Sequence, residues 1–411
     1  MMTSIPTGYS ESAPESVRSR PEPYAGLRVV EFSHMVMGPT CGMILADMGA
    51  EVIKVEPIGG QKKGDATRGL LGSGAGFFPM FNRNKKSLAL NLDTPEGLGA
   101  AKRLIASADV VCENFKAGAM QKLGLDYLSL KTEHPRLIYV SHRGFLPGPY
   151  DNRTALDEVV QMMGGLAYMT GRPGDPLRAG SSVNDIMGGM FGAMGVMAAL
   201  AEREKTGLGQ EIQSALFENN VLLMAQHMMQ FAVTGQAAAP MPSRVSAWGI
   251  YDVFDFLGGE QVFLAVVTDT AWGLFCAAFG FEDLMADARL SSNNLRVKAR
   301  EWMMPLLRER LGHLSAQQVS ECFEKHGLPY APITKPHDLF VDPHLMASGG
   351  LAPITLANGM QTLAPLLPIT MGGQRLGVRT SAPALGAHNQ EVLRGLGYTE
   401  REIEALGGEV I

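Results

Sequence analysis

Several kinds of chemistry are scarce or missing in this sequence, and each gap narrows what the chain does. Cysteine is sparse: four in 411 residues, at positions 41, 112, 276 and 322. None forms a C-x-x-C pair, so a zinc ribbon and a thioredoxin-type redox site both lack support. Thiols spaced this widely read as reduced and buried, which suits a cytoplasmic protein. Charge is low as well. Charged residues make up 18% of the chain, against ~25% in an average globular protein. Lys and Arg total 35, Asp and Glu 41, and the net charge is −6. A nucleic-acid binder normally carries the opposite balance. No run of ~18 apolar residues is present to span a membrane. The apolar stretch 186–200 is interrupted by four glycines and continues into AEREK, as suits a buried helix. H-E-x-x-H and G-x-S-x-G are absent, so zinc-protease and serine-hydrolase chemistry lack their signatures. His337 and His344 flank Asp338 and Asp342 in a Pro-rich stretch. They read as solvated surface, and no metal site is expected.

What is present organises itself as α/β. At ~100–200 residues per domain, the length suits two or three domains. Residues 1–25 are rich in Ser, Pro and Glu and read as a flexible lead-in without a signal-peptide core. Residues 27–57 then spell strand (LRVVEF), helix (GPTCGMILADMGA) and strand (EVIKVE). This βαβ unit seeds a parallel, doubly wound sheet, although its turn lacks G-x-G-x-x-G. The same grammar continues with a strand at Ser87–Leu92. A helix follows, with Thr94 as N-cap and Pro95 at its first position, running to about Ser107. ADVVCENF is a strand ending at Asn114 and Phe115, and LIYVSHRGF another. Two Met/Gly-rich helices are expected over Asp157–Thr170 and Asp185–Lys205. A linker at 234–244 closes a large domain running over 26–234. A smaller α+β domain is expected over 235–330, and 331–411 returns to complete the large one.

The strongest chemical signal is a pair of acids, Asp157 and Asp185, each opening one of these helices. In the second helix Gly188, Gly192 and Gly195 leave one face nearly bare. Such a face admits another backbone or a ligand. Aspartate is also a preferred N-cap. A helix N-terminus holds a carboxylate ionised, and a nucleophilic carboxylate must be ionised. Cap and nucleophile are therefore compatible roles, and read alone each acid is first of all a cap.

Several longer segments, in order, are GPTCGMILADMGAEVIKVEP, GDATRG, NRNKKSLALNLDTPEG, ADVVCENFKAGAMQKLGLDY, HPRLIYVSHRGF, SVNDIMGGMFGAMGVMAALAEREKTGLGQEIQSALFE and SAPALGAH. Together they resemble the family III CoA-transferases over residues 25–400. That family includes formyl-CoA transferase, carnitine CoA-transferase and α-methylacyl-CoA racemase. The stretch TALDEVVQMMGGLAYMTG resembles the branch of mesaconyl-CoA C1–C4 and other dicarboxylate CoA-transferases.

The resemblance implies specific roles. The nucleophile of the AxxDxxxG pattern falls on Asp185, with Ser182 in place of the Ala and Gly189 as the Gly. The second active-site acid falls on Asp157, followed by Gln161. Racemases carry a His just before that acid, and here Leu156 stands there. Asn114, Phe115, Lys122, Leu123 and Leu90 occupy positions that contact CoA, and Arg68 and Lys85 suit its phosphates. The usual AGP turn is Met37-Gly38-Pro39, with Met37 and Gly38 against the substrate. Arg178 and Arg244 are candidates to pair with a second substrate carboxylate, as is Arg172. The reaction so implied moves CoA from an acyl-CoA to a small C4–C5 dicarboxylate such as mesaconate, citramalate, itaconate, malate or succinate. It runs through aspartyl anhydride and aspartyl-CoA intermediates, with no cofactor beyond CoA itself. The partners are the acyl-CoA, the acid and a second copy in an interlocked, ring-like homodimer, with no nucleic acid or membrane. The alternatives are intramolecular transfer on mesaconyl-CoA, acyl-CoA racemisation, and CoA binding without catalysis.

Overall fold

The computed structural model describes residues 22–244 and 246–406, so most of the expected lead-in lies outside the described residues. The chain divides into two compact units. One runs to Pro242 and resumes at Pro343; the other is Ser243–Asp342. The division falls within the expected linker, but the smaller unit continues to Asp342, beyond the 330 read from sequence.

The larger unit is built on a seven-stranded sheet. Its strands are β1 (Arg28–Phe32), β2 (Glu51–Gly59), β3 (Lys62–Lys63), β4 (Lys85–Leu90), β5 (Val110–Glu113), β6 (Ile138–Arg143) and β7 (Glu211–Ala215). Six run parallel in the order β4-β2-β1-β5-β6-β7, and β3 folds back antiparallel on the end of β2. Buried on both faces, these strands are near-continuous Val/Ile/Leu runs rather than alternating ones. Val30, Ile53, Val111 and Tyr139 point into one core. Val29, Val52, Val110 and Ile138, one residue earlier on each strand, point into the other.

Five helices matter for the site: α1 (Met37–Asp47), α2 (Pro95–Ile105), α3 (Asp157–Met163), α4 (Val183–Thr206) and α5 (Leu216–Thr234). Helix α2 starts as its sequence requires. Thr94 Oγ1 accepts the Gly97 N–H at 3.2 Å and Pro95 sits at the first position. Two expectations are corrected. The helix read over 157–170 breaks after Met163, because Gly165 takes φ +89° and restarts the chain as a separate turn, Leu166–Thr170. The strand read over 87–92 begins at Lys85, two residues earlier, which changes the surroundings of that lysine.

The C-terminal segment covers the outer edge of β4. Asn389 Oδ1 accepts the Ala89 N–H at 2.8 Å, and the His388 ring accepts the Ser87 N–H at 3.1 Å. An unpaired strand edge is thereby satisfied by side chains.

The smaller unit holds an antiparallel sheet, β8 (Ile250–Asp255), β9 (Gln261–Val266) and β10 (Tyr330–Pro332), in the order β10-β9-β8. Its core gathers Phe254, Leu264, Trp272, Phe275, Met303 and Phe323.

Candidate active site

Asp157 and Asp185 are brought together by their backbones, and neither is the N-cap of its own helix. Leu156 and Ser182 hold those positions, so Asp157 is the first residue of α3 and Asp185 the third of α4. Asp157 instead reaches across to the other helix. Its Oδ1 accepts the N–H of Asn184 at 2.8 Å and of Asp185 at 3.1 Å. Its Oδ2 accepts from Gln161 Nε2. Gln161, fully buried, uses its Oε1 to accept the Ala179 N–H at 2.8 Å, which ties down the loop entering α4. Asp157 is therefore the cap of α4, supplied from α3, and its charge faces the positive helix end.

Asp185 is left with the opposite environment. Its carboxylate accepts no hydrogen bond from the described residues. Burial and the neighbouring charge of Asp157 push its pKa up to about 7, partly countered by His142. Two acids a few residues from two helix starts thus divide the available donors unequally. One is held by three N–H groups; the other is desolvated and unpaired.

The glycine face of α4 is filled by protein. A Cβ on Gly189 would lie 2.6 Å from the Met37 carbonyl oxygen, and one on Gly188 2.2 Å from Met37 Cε. Gly192 meets the His142 ring and Gly195 meets Ile212 at similar range. The stripe serves close approach of α1, β6 and β7. At the other side of that contact, Gly38 stands in the first turn of α1, and a Cβ there would lie 2.5 Å from Ser33 Cβ. Its N–H belongs to the first helical turn and has no intrahelical acceptor. Gly188, inside α4, has its N–H in the helical ladder. Met37 is buried beneath α4.

The sheet order reverses between β1 and β5, the place where open α/β sheets form a ligand crevice. His34 and Asn114 close the two strand ends reciprocally. The His34 N–H donates to Asn114 Oδ1 at 2.9 Å, and Asn114 Nδ2 donates to the His34 carbonyl at 2.7 Å. The Phe115 ring stacks on the His34 ring, centroids 6.0 Å apart. Lys122 is exposed and Leu123 half-buried nearby in sequence.

Three positions matched to CoA contacts sit differently. Lys85 is buried, and its ammonium donates to Glu31 Oε2 at 2.7 Å, the Pro39 carbonyl at 2.9 Å and Asn82 Oδ1 at 3.1 Å. All three donors are committed, because the strand starts at this residue and turns it inward. Arg68 forms a two-pronged pair with Glu56, Nε at 2.7 Å and Nη2 at 2.6 Å. Leu90 is wholly buried in the core with Ile53 and Leu88. Around Glu31, burial pushes the carboxyl upward, but Lys85 and Lys54 outweigh it and hold the group ionised. Arg178 donates to Glu158 and to the Ala179 carbonyl, so its carboxylate partner lies within the chain. Arg172 forms a backbone bridge with Asp175. Arg244 belongs to the smaller unit.

One cluster has no precedent in the spacing of the sequence. Cys41 on α1, Cys112 on β5 and His142 on β6 are all buried, with ligand atoms within 4.8 Å of one another. They lie 71 and 30 residues apart in the chain, and only the parallel register unites them.

A sequence model described as CoA-transferase family III matches residues 24–389. A succinate–glutarate CoA-transferase of Agrobacterium fabrum is 32% identical, covering 93% of this chain and 98% of the relative. A succinyl-CoA–D-citramalate CoA-transferase of Chloroflexus aurantiacus is 31% identical, with 94% and 97% covered. The crystal structure of a CaiB/BaiF family protein from Brucella suis superposes with a TM-score of 0.82 at 33% identity, covering 92% of this chain and all of that one.

Proposed function

We propose, on the premise that this chain belongs to CoA-transferase family III and is a CoA-transferase, that it moves CoA from an acyl-CoA to a small dicarboxylic acid through Asp185. The carrying observation is the unequal pair of carboxylates. Asp157 is saturated with hydrogen bonds, whereas Asp185 has none and is pushed up to about 7. A carboxylate so poorly stabilised is a stronger nucleophile once ionised.

The steps follow from that assignment. The Asp185 carboxylate attacks the thioester carbonyl, the C–S bond breaks, and CoA thiolate leaves an acyl–aspartyl anhydride. The thiolate then attacks the aspartyl carbonyl and releases the donor acid, leaving an aspartyl–CoA thioester. The acceptor carboxylate attacks that thioester and expels the thiolate. The thiolate takes the acceptor's acyl group and frees Asp185. No proton transfer and no group beyond CoA and the two acids is called upon. Asp157 holds the first turn of α4 still, and the Gly38 N–H is the backbone donor suited to the developing oxyanion.

Relatives that act on glutarate and citramalate support a C4–C5 dicarboxylate as acceptor. Arg178, already paired with Glu158, supports that role less than its position in the sequence suggested. A second copy of the chain is part of this reading. Met190 and Met194 on α4, and Met228, Met229 and Phe231 on α5, are exposed in the single chain. Covering them in an interlocked homodimer would also shield the anhydride from water.

The test is a trapping experiment. The protein is incubated with succinyl-CoA, quenched with hydroxylamine, digested and analysed by mass spectrometry. The expected hydroxamate lies on Asp185; label on Asp157 would overturn the assignment. Assay against a panel of mono- and dicarboxylates, with mesaconyl-CoA alone as a further arm, identifies the acceptor and separates transfer between molecules from transfer within one.

A further inference from the structure

We propose that Cys41, Cys112 and His142 form a buried site for a soft divalent cation of the zinc class, seated beneath the helix that carries Asp185. The inference is independent of the role given to Asp185.

Three observations carry it. The ligand atoms of all three residues lie within 4.8 Å of one another. The two cysteines are fully buried and His142 is 3% exposed. Neither ring nitrogen of His142 has a hydrogen-bond partner, although a buried imidazole ordinarily finds one. A buried thiol pair, one of whose thiols donates to the Gly38 carbonyl, facing an imidazole without a hydrogen bond is an arrangement a metal completes.

The surroundings suit such an ion. Gly192 of α4 lets the helix backbone close directly over the cluster, since a Cβ there would lie 2.4 Å from His142 Cε1 and 3.3 Å from Cys41 Sγ. Charge selects the class of ion. Two thiolates and a neutral imidazole cancel a 2+ charge, which a dry site requires. Sulfur and imidazole nitrogen select zinc and its soft congeners over magnesium or calcium. Binding releases one proton from each thiol: a divalent cation plus two thiols gives the dithiolate complex and two protons. The Gly38 carbonyl oxygen, 4.0 Å from Cys112 Sγ, offers an atom near the fourth position. The bound ion would then join α1, β5 and β6 at one point.

The experiment uses the full chain. Protein made in zinc-supplemented medium is analysed for metal per chain. It is then unfolded with chelator and refolded with cadmium, whose thiolate complexes absorb in the ultraviolet. About one zinc per chain is expected, with a cadmium–thiolate band on refolding. Cys41→Ala and Cys112→Ala should lower metal content by about ten-fold or more. Cys322→Ser removes the half-buried thiol that lies 3.8 Å from His326 Nδ1, and it should leave metal content unchanged. Zinc should raise the melting temperature of the wild type but not of Cys41→Ala. A wild type with neither zinc nor a cadmium band overturns the proposal. So does metal content that survives both alanine variants or falls with Cys322→Ser. The wild-type measurements decide the question even if an alanine variant misfolds.

Discussion

Ionised, the state in which it is proposed to attack, Asp185 is costly to the fold. Its folded pKa of about 7 lies above the ordinary carboxylate value of 3.8. Between those values the folded chain keeps a proton that the unfolded chain has lost. That contribution to stability is therefore present at low pH and lost as pH rises through about 7. Asp185→Asn should abolish turnover yet raise the melting temperature, with a gain larger near pH 8 than near pH 5. Each pKa unit corresponds to about 1.4 kcal/mol, so the gain reaches up to about 4 kcal/mol. Equal melting curves at both pH values would refute the electrostatic account. Activity has the same origin and the opposite slope. If the ionised form attacks, the single-turnover rate of acylation should climb with pH through about 7, and a flat profile over pH 5–8 would refute it. The lysines separate similarly. Lys122 is exposed, so Lys122→Ala should raise KM for acyl-CoA while leaving melting unchanged. Lys85→Met takes one of two lysines from the buried Glu31 carboxylate, leaving Lys54, and should cost up to about 3–5 kcal/mol of stability, read by denaturant unfolding. A Lys85→Met variant as stable as wild type, with only KM altered, would return this residue to the phosphates.

Helix and strand positions were largely legible because local chemistry announces them, and the failures have physical causes. Thr94-Pro95 marks the start of α2 without tertiary help. The break at Gly164-Gly165 is hidden, because glycine is compatible with a continuing helix until packing selects a positive φ. Lys85 falls outside the strand read at Ser87–Leu92 and reads as a phosphate partner, since a strand beginning on two lysines is unusual until the Glu31 carboxylate is known to pair with one of them. Asp157 and Asp185 were legible as a pair, but not the crossing of one acid to cap the other's helix. Nothing in the spacing joins Asn184 to residue 157. The resemblance proposes Asp185 as nucleophile, and only the structure makes Asp157 the cap of α4. The contact between α1 and α4 supplies its own test. Gly189→Ala places a methyl 2.6 Å from the Met37 carbonyl. Backbone cannot move aside as a side-chain tip does, so a loss of about 1–3 kcal/mol is expected. Displacement of the Gly38 turn should lower kcat as well. A variant with wild-type kcat and stability would show that the two helices have slack.

At the scale of the whole molecule, the larger unit is discontinuous, interrupted by residues 243–342 and closed by a segment from the far end of the chain. Asn389 pairs with both the N–H and the carbonyl of Ala89, at 2.8 and 3.4 Å. Asn389→Ala should leave those buried groups unpartnered and cost about 1–3 kcal/mol, measurable in urea. Unchanged stability would mean that β4 does not depend on this cover.

That cover has a consequence for how the protein is made. Residue 89 leaves the ribosome some 300 residues before the asparagine that seals it. At roughly 5–20 residues per second, the edge of β4 stays open for about 15–60 s. Residues 243–342 emerge whole before the cover does, so they can reach their own core while the sheet is still unfinished. A nascent chain halted before residue 388 should therefore bind a holding chaperone through its first hundred residues, and the completed chain should release it.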